Sequence, residues 1–386
     1  MAPLKALGPD GMPLIFFQHY WKEIGGDVAD AVLFCLNSGQ IPTGINHTHI
    51  TLIPKVKSPE KVTEFRPIAL CNILYKLISK VLANRLKVIL PNVLSKSQSA
   101  FQFDKAISNN ILVAFETLHH MKMKKSGKIG SMTLMLDKSK AFDKVEWAFL
   151  LKLMEKMGFD GKWINLILEC ISTISYSILV NSEPKGNIVP SRGIRQGDPL
   201  SPYLFLLCSE GLNALIQQAV NEDKIRGYSL CRYGPKISHL FFADDSLLFC
   251  HAQISDTQTI QGILDLYEHA SRQRIDKEKT TLFFSKSITM ETKNSIKNFL
   301  GGPEIKEYEK YLGLLAVLGR NRSASLNFFK EKVWGKIQGW KEKLLSQAGK
   351  EVFLKAVVQA IPAFAMSCFR LLVGLCKEIE MIIRKF

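Results

Sequence analysis

The apolar positions of this chain recur in two rhythms. Between residues 70 and 90, Leu74, Leu77, Ile78, Val81, Leu82 and Leu86 follow the 3.6-residue period of a helix that Pro91 is expected to close. The same period over 107–121 predicts a second helix, ending in the lysine-rich stretch 124–127, while the rest of the first 130 residues reads as short extended pieces such as 49–53. From 131 onward short apolar runs take over. Residues 132–136 read as a buried strand stopping at Asp137, and a helix is expected over about 145–157. A hairpin is predicted from 176–180 and 186–190, with the polar turn 181–186 between them. Ser201 can cap the next helix, with Pro202 in the first turn, where its missing N–H is harmless. A second hairpin, 238–242 and 246–250, turns at Ala243-Asp244-Asp245. Beyond it lie a helix over 256–270, strands over 281–285 and 311–318, and helical sequence after a boundary at Gly301-Gly302-Pro303.

Composition narrows the class. With 386 residues, two or three lobes are expected, and 47% hydrophobic residues exclude a disordered polyelectrolyte. The chain carries 51 Lys and Arg against 35 Asp and Glu, a formal charge of +16. That charge must sit on a folded surface, so a polyanion is the first partner to consider. Eight cysteines without a Cys-x-x-Cys pair fit buried, reduced thiols in an intracellular protein of nucleus or cytoplasm. Residues 1–5 do not resemble a signal peptide, and Gln359, Pro362 and Arg370 interrupt the apolar stretch 356–376, which reads as a buried helix, so no membrane partner is expected.

The chemistry resides in the acids. In Phe241-Phe242-Ala243-Asp244-Asp245-Ser246-Leu247-Leu248-Phe249 two carboxylates interrupt a run that otherwise reads as core, where unpaired charge is costly. Asp137 also stands at the end of an apolar strand, and a sheet can bring such ends together. Three converging carboxylates repel one another; two Mg²⁺ ions would relieve that and bridge to phosphates, which points to in-line displacement at phosphorus. Between these acids lies Ser191-Arg192-Gly193-Ile194-Arg195-Gln196-Gly197-Asp198, with glycines for close backbone approach and two arginines that can meet phosphate at the start of a helix.

Taken in order, Gly8-Pro9-Asp10-Gly11, Phe65-Arg66-Pro67-Ile68, Gln98-Ser99-Ala100-Phe101, Asp137 with Phe142-Asp143, the block Arg195 to Pro202, Phe242-Ala243-Asp244-Asp245 and Lys310-Tyr311-Leu312-Gly313 resemble the reverse transcriptases of non-LTR, LINE-type retrotransposons, particularly plant elements. The resemblance spans essentially the whole chain and implies an α+β right-hand polymerase: fingers, palm and thumb, with an antiparallel palm sheet backed by helices. It implies a reverse transcriptase domain over 37–317, fingers over 1–130, palm over 131–300, and a helical thumb or connection region over 301–386. The implied activity is RNA-directed DNA polymerisation, a nucleotidyltransferase reaction that extends a DNA primer 3′-OH with dNTPs on an RNA template. Two Mg²⁺ ions, for which Mn²⁺ can substitute, would be held by Asp137, Asp244 and Asp245.

The resemblance further assigns Phe142 to the incoming sugar, Gln196 and Gly197 to positioning nucleotide and template, Lys55 and Arg66 to the triphosphate, and Lys279 to protonation of pyrophosphate. Asp143 reads instead as a helix-start acid. The lysines over 327–355 are expected to track duplex phosphates from one helix face, with Trp334 and Trp340 as packing residues. Several positions depart from the family pattern: Gln102-Phe103-Asp104-Lys105 replaces a Pro-Gly-Arg type turn, and Leu7, Asp276 and Thr280 replace a usual proline, asparagine and serine. The sequence carries neither endonuclease nor cysteine-rich segments, as a fragment would, and the alternative reading is a catalytically silent nucleic-acid-binding remnant.

Overall fold

The computed structural model describes residues 6–102, 104–124, 130–138, 140–305, 310–315, 322–341 and 345–386. Lys125, Phe103, Lys343 and the expected strand end at 316–318 lie outside the described residues. Two helices, α1 (Leu14–His19) and α2 (Trp21–Ser38), precede β1 (His47–Pro54), β2 (Phe65–Cys71), α3 (Ile73–Val93) and α4 (Ile107–Met123). The middle of the chain forms β3 (Ser131–Leu136), α5 (Trp147–Lys156), α6 (Gly161–Ser172), β4 (Ser175–Val180), β5 (Glu183–Ile188), α7 (Ser201–Asn221), β6 (His239–Phe242) and β7 (Asp245–His251). Then follow α8 (Ile254–Ser271), β8 (Thr281–Phe284), α9 (Met290–Leu300), β9 (Lys310–Tyr311), β10 (Leu314–Leu315), α10 (Arg322–Lys341), α11 (Gln347–Phe353), α12 (Ala360–Met366) and α13 (Val373–Arg384). These elements divide into two compact units interleaved along the sequence.

The first unit gathers residues 1–104, 136–225 and 258–276. Its sheet has the order β2-β1-β4-β5, with β1 antiparallel to β2 and parallel to β4. Helix α7 packs against α3 and α5, burying Tyr75, Ile78 and Leu82 of α3, Leu150 and Met154 of α5, and Leu204, Phe205 and Leu212 of α7. The Gly8–Gly11 motif serves α3: Asp10 accepts from the Ile73 N–H at 2.6 Å, capping a helix whose own preceding residue makes no side-chain cap. Pro91 falls inside α3, which runs on to Val93, because in the last turn the ring forfeits one backbone bond. The turn of the first hairpin is tighter than its sequence suggests. Val180 pairs with Glu183, and only Asn181 (φ 51°) and Ser182 (φ 67°) lie between, both left-handed as a two-residue hairpin turn requires. Helix α6 was hidden because its apolar run passes into β4 without a breaker, and α2 because Gly25 and Gly26 weaken its helical signal.

The second unit gathers 105–135, 226–257 and 277–386. Its sheet has the order β6-β7-β3-β8, with β6 antiparallel to β7 and β3 antiparallel to β8. Ala252, just past β7, donates to the Gly130 carbonyl just before β3 at 2.9 Å, so β7 begins at the edge where β3 ends. Leu118 and Met121 of α4 pack beneath this sheet against Leu247, Phe249 and Phe283. A separate helical core joins Phe329, Val333 and Ile337 of α10 to Leu375 and Ile379 of α13. Residues 356–376 are not one buried helix: a π-helical turn (Leu354–Val358) leads into α12, and the chain breaks before α13. No helix among the described residues is long and apolar enough to cross a membrane. Trp340 stacks on Phe353 as a packing residue, whereas Trp334 is 48% exposed and does not.

Candidate active site

The acidic pair sits on a two-residue hairpin turn. Phe242 pairs with Asp245 in the β6–β7 ladder, leaving Ala243 (φ 53°) and Asp244 at the tip, and both carboxylates are exposed although the strands behind them are buried. The tip is braced from within its own unit. Asn110 of α4 donates to the Phe241 carbonyl at 3.1 Å, and the buried Tyr311 hydroxyl donates to Asn110 Oδ1 at 2.8 Å. Burial, then the Asp245 carboxylate, push the Tyr311 hydroxyl well above its ordinary value, so it stays a donor. The Lys310–Gly313 motif thus supports the acidic hairpin by one intermediate side chain.

Asp137 follows directly on the last residue of β3, and its side chain is exposed. Its carbonyl accepts from the Asp276 N–H at 2.8 Å, and Lys138 forms an isolated bridge with Ile275, so the segment after α8 clamps the backbone there. Among the described residues no three His, Cys, Asp or Glu side chains are gathered into an ion cage. Asp137, Asp244 and Asp245 nonetheless supply what Mg²⁺ prefers: exposed, hard carboxylate oxygens on strand ends.

The Arg192–Asp198 loop belongs to the first unit and is stitched down on both sides. Gly193 N–H donates to the Val145 carbonyl at 2.7 Å, Ile194 N–H to Phe142 at 2.9 Å, and Ala69 N–H to the Gln196 carbonyl at 2.9 Å. A side chain at Gly193 (φ 91°) would bring Cβ within 2.7 Å of the Asp143 carbonyl oxygen, so only glycine fits. Gly197 (φ 103°) likewise approaches the Ala69 carbonyl. Arg195 is not a phosphate contact: it is buried, donates to Thr48 Oγ1 at 3.0 Å and the Cys170 carbonyl at 3.3 Å, and lies 3.8 Å from the Tyr75 ring centroid. Asp198 is buried too, accepting from Ser79, Tyr75 and Ser201. Ser201 is therefore spent on Asp198 instead of capping α7.

A cavity of about 270 Å³ opens beside this loop, lined among others by Pro67, Asp143, Tyr176, Arg192 and Gln196. Asp143 lies four residues before α5, so it is not a helix-start acid; it lines this cavity. Burial raises its carboxyl above the ordinary value, against the opposing pull of Lys140, a hydrogen bond from Gln196, and Lys55. Its surface is still accessible, as expected of a carboxylate set in the wall of an open cavity. Gln196 thus bonds this acid, and Lys55 acts on its charge from farther away. Lys55 also donates to the Thr63 carbonyl at 3.0 Å, and Arg66, paired with Ile53 on β2, is exposed. Phe142 stacks on Phe205 with centroids 5.0 Å apart. Lys279 is exposed in a turn of the second unit.

An acid-tipped antiparallel hairpin in a helix-backed sheet is the architecture of a template-directed polymerase. The chain belongs to the reverse transcriptase (RNA-dependent DNA polymerase) family, whose model matches residues 53–314. Its relatives include the transposon TX1 uncharacterized 149 kDa protein of Xenopus laevis, 24% identical over 374 residues and covering 94% of this chain but 27% of that protein. The Pol polyprotein from the type-1 retrotransposable element R2 of Popillia japonica is 30% identical over 218 residues, covering 54% of this chain and 28% of the polyprotein. An uncharacterized mitochondrial protein of Arabidopsis thaliana is 48% identical over 68 residues, 18% of this chain and 56% of that protein. The chain spans less than a third of the length of either retroelement protein.

Proposed function

We propose that this chain extends a DNA primer 3′-OH with dNTPs on an RNA template. The observation that carries the reading is the braced hairpin tip, with Asp244 in the turn, Asp245 beginning β7 at the edge where β3 ends, and Asp137 the residue that follows β3. On this reading Asp137, Asp244 and Asp245 are the residues that would hold two Mg²⁺ ions, which would supply charge neutralisation for attacking and leaving oxygens. Gln196 and the glycine-fixed loop position the nucleotide beside Asp143, and Phe142 meets the sugar. Lys55 and Arg66, at neighbouring strand ends, take the triphosphate, and Lys279 delivers a proton to departing pyrophosphate. Residues 1–130, 131–300 and 301–386 then act as fingers, palm and thumb, with 37–317 as the polymerase domain.

Primer extension on poly(rA) with oligo(dT) tests the reading. Magnesium-dependent extension is expected, and Asp244→Ala should lower it by roughly a hundredfold or more while nucleic-acid binding persists, because the loss falls on transition-state charge. Extension by that variant at the unsubstituted rate would sink the assignment. Salt-sensitive binding without any extension would instead favour the silent remnant.

A further inference from the structure

The first unit holds a second cavity, of about 530 Å³, that the roles above leave unused. Lys144, Arg192, Arg272 and Arg274 line it, together with Asp265, Glu268 and His269. Arg192 also lines the Gln196 cavity, so the two spaces share a wall. Four cations face two carboxylates, and both carboxylates already accept from neutral donors: Glu268 from the Ile275 N–H at 2.6 Å, Asp265 from Gln261 at 2.6 Å. None of the four cations lies within ion-pair distance of a carboxylate among the described residues. Burial, and then Arg274, Lys140 and Arg192, hold the Lys144 ammonium below its ordinary value, against the pull of Glu268. Like charges crowded this way call for an anion.

The crowding is built in. Gln273 is buried, donating to the Ala141 carbonyl at 2.8 Å and accepting from Tyr267, so its neighbours Arg272 (φ 58°) and Arg274 are turned to the surface. Glu146 N–H donates to the Ser271 carbonyl at 3.3 Å and Gly193 N–H to Val145 at 2.7 Å, tying together the three segments that carry the cations. The Asp276–Asp137 backbone bond joins the same loop to a proposed metal ligand.

We infer that this cavity is a polyphosphate site, binding a pyrophosphate-class anion: the pyrophosphate leaving the polymerisation step, or the triphosphate tail of an arriving nucleotide. The polymerase reading supplies the anion's role, but its binding can be measured alone. Titration calorimetry of the 386-residue chain with sodium pyrophosphate, without primer, template or divalent metal, should show saturable binding. Arg272→Ala with Arg274→Ala should weaken it by about tenfold or more, as loss of charge-assisted hydrogen bonds implies. Lys162→Ala, which removes an exposed cation of α6, should leave it unchanged. Arg274→Gln, expected to weaken binding in the same direction, and matched melting curves guard against misfolding. Displacement of pyrophosphate by dATP assigns the site to the arriving tail as well; failure to displace assigns it to the leaving group, and either supports the site. Equal pyrophosphate affinity in the unsubstituted chain and the double variant overturns it. So does a loss confined to oligo(dT) affinity, which would make strand phosphates the ligand. A chain that binds pyrophosphate but never extends a primer keeps the site and loses the polymerase reading; an active chain whose extension and binding ignore these arginines does the reverse.

Discussion

Phe142 is stacked on a buried neighbour: its ring lies 10° from parallel with that of Phe205, which is fully buried in α7. A rigid ring discriminates by occupying volume, so Phe142→Val should admit ribonucleotides about tenfold more readily in single-nucleotide primer extension. Unchanged sugar selection would remove Phe142 from that role. His239 makes a different claim on pH. Its burial lowers the imidazole to about 4, against roughly 6.5 in an unfolded chain. Between those values the unfolded state binds more protons, so stability should fall as pH drops from about 6.5 to 4 and be insensitive to this group above. His239→Gln should flatten that part of a melting-temperature profile. At this scale the turn at Asp244 was legible, because charge interrupting an apolar run is costly in a strand and is relieved at a hairpin tip. Arg195 was not: nothing in its neighbours' identities says that its guanidinium is used up on Thr48 and Cys170, since those partners come from elements 147 and 25 residues away.

At the scale of elements, glycine positions separate two costs that the sequence alone merges. Gly11 (φ 64°) has nothing near a would-be Cβ, so Gly11→Ala carries left-handed strain alone, about 1 kcal/mol. Gly193 (φ 91°) adds a backbone clash with Asp143, and Gly193→Ala should cost about 2 kcal/mol or more, read from denaturation midpoints. If the two variants melt alike, the loop is not pinned as described. Both hairpins and the long helices α3, α4 and α7 were visible in periodicity. Helix α6 was not, because periodicity without a breaker leaves its junction with β4 unmarked, and the turn lengths depended on left-handed residues other than glycine, at Asn181, Ser182 and Ala243. Asp143 was misplaced for a related reason: helix α5 begins later than its apolar pattern, and an acid just outside a helix reads like one at its start.

Across the whole molecule the +16 charge acquires addresses. Some lysines over 327–355 are already engaged, Lys330 with Glu378 at 2.7 Å and Lys355 with Glu351 at 2.6 Å. Lys332 and Lys336 are exposed on α10, beside the residues Phe329, Val333 and Ile337 that it buries; Lys332 lies 5.6 Å from the Phe328 ring centroid, and neither lysine has a carboxylate within ion-pair distance among the described residues. An engaged lysine must give up its partner to meet a phosphate; an unengaged one releases only bound counterions from the nucleic acid. Replacing Lys332 and Lys336 together by alanine should therefore reduce the slope of log K against log salt by about two for a duplex. Lys330→Ala should change it by less than one. On the proposed reading, chelation of divalent ions should stop extension yet leave these slopes in place, because that reading assigns the grip to lysines and the chemistry to Asp137, Asp244 and Asp245. Equal slopes for the double variant and the unsubstituted chain would move the nucleic-acid track off α10.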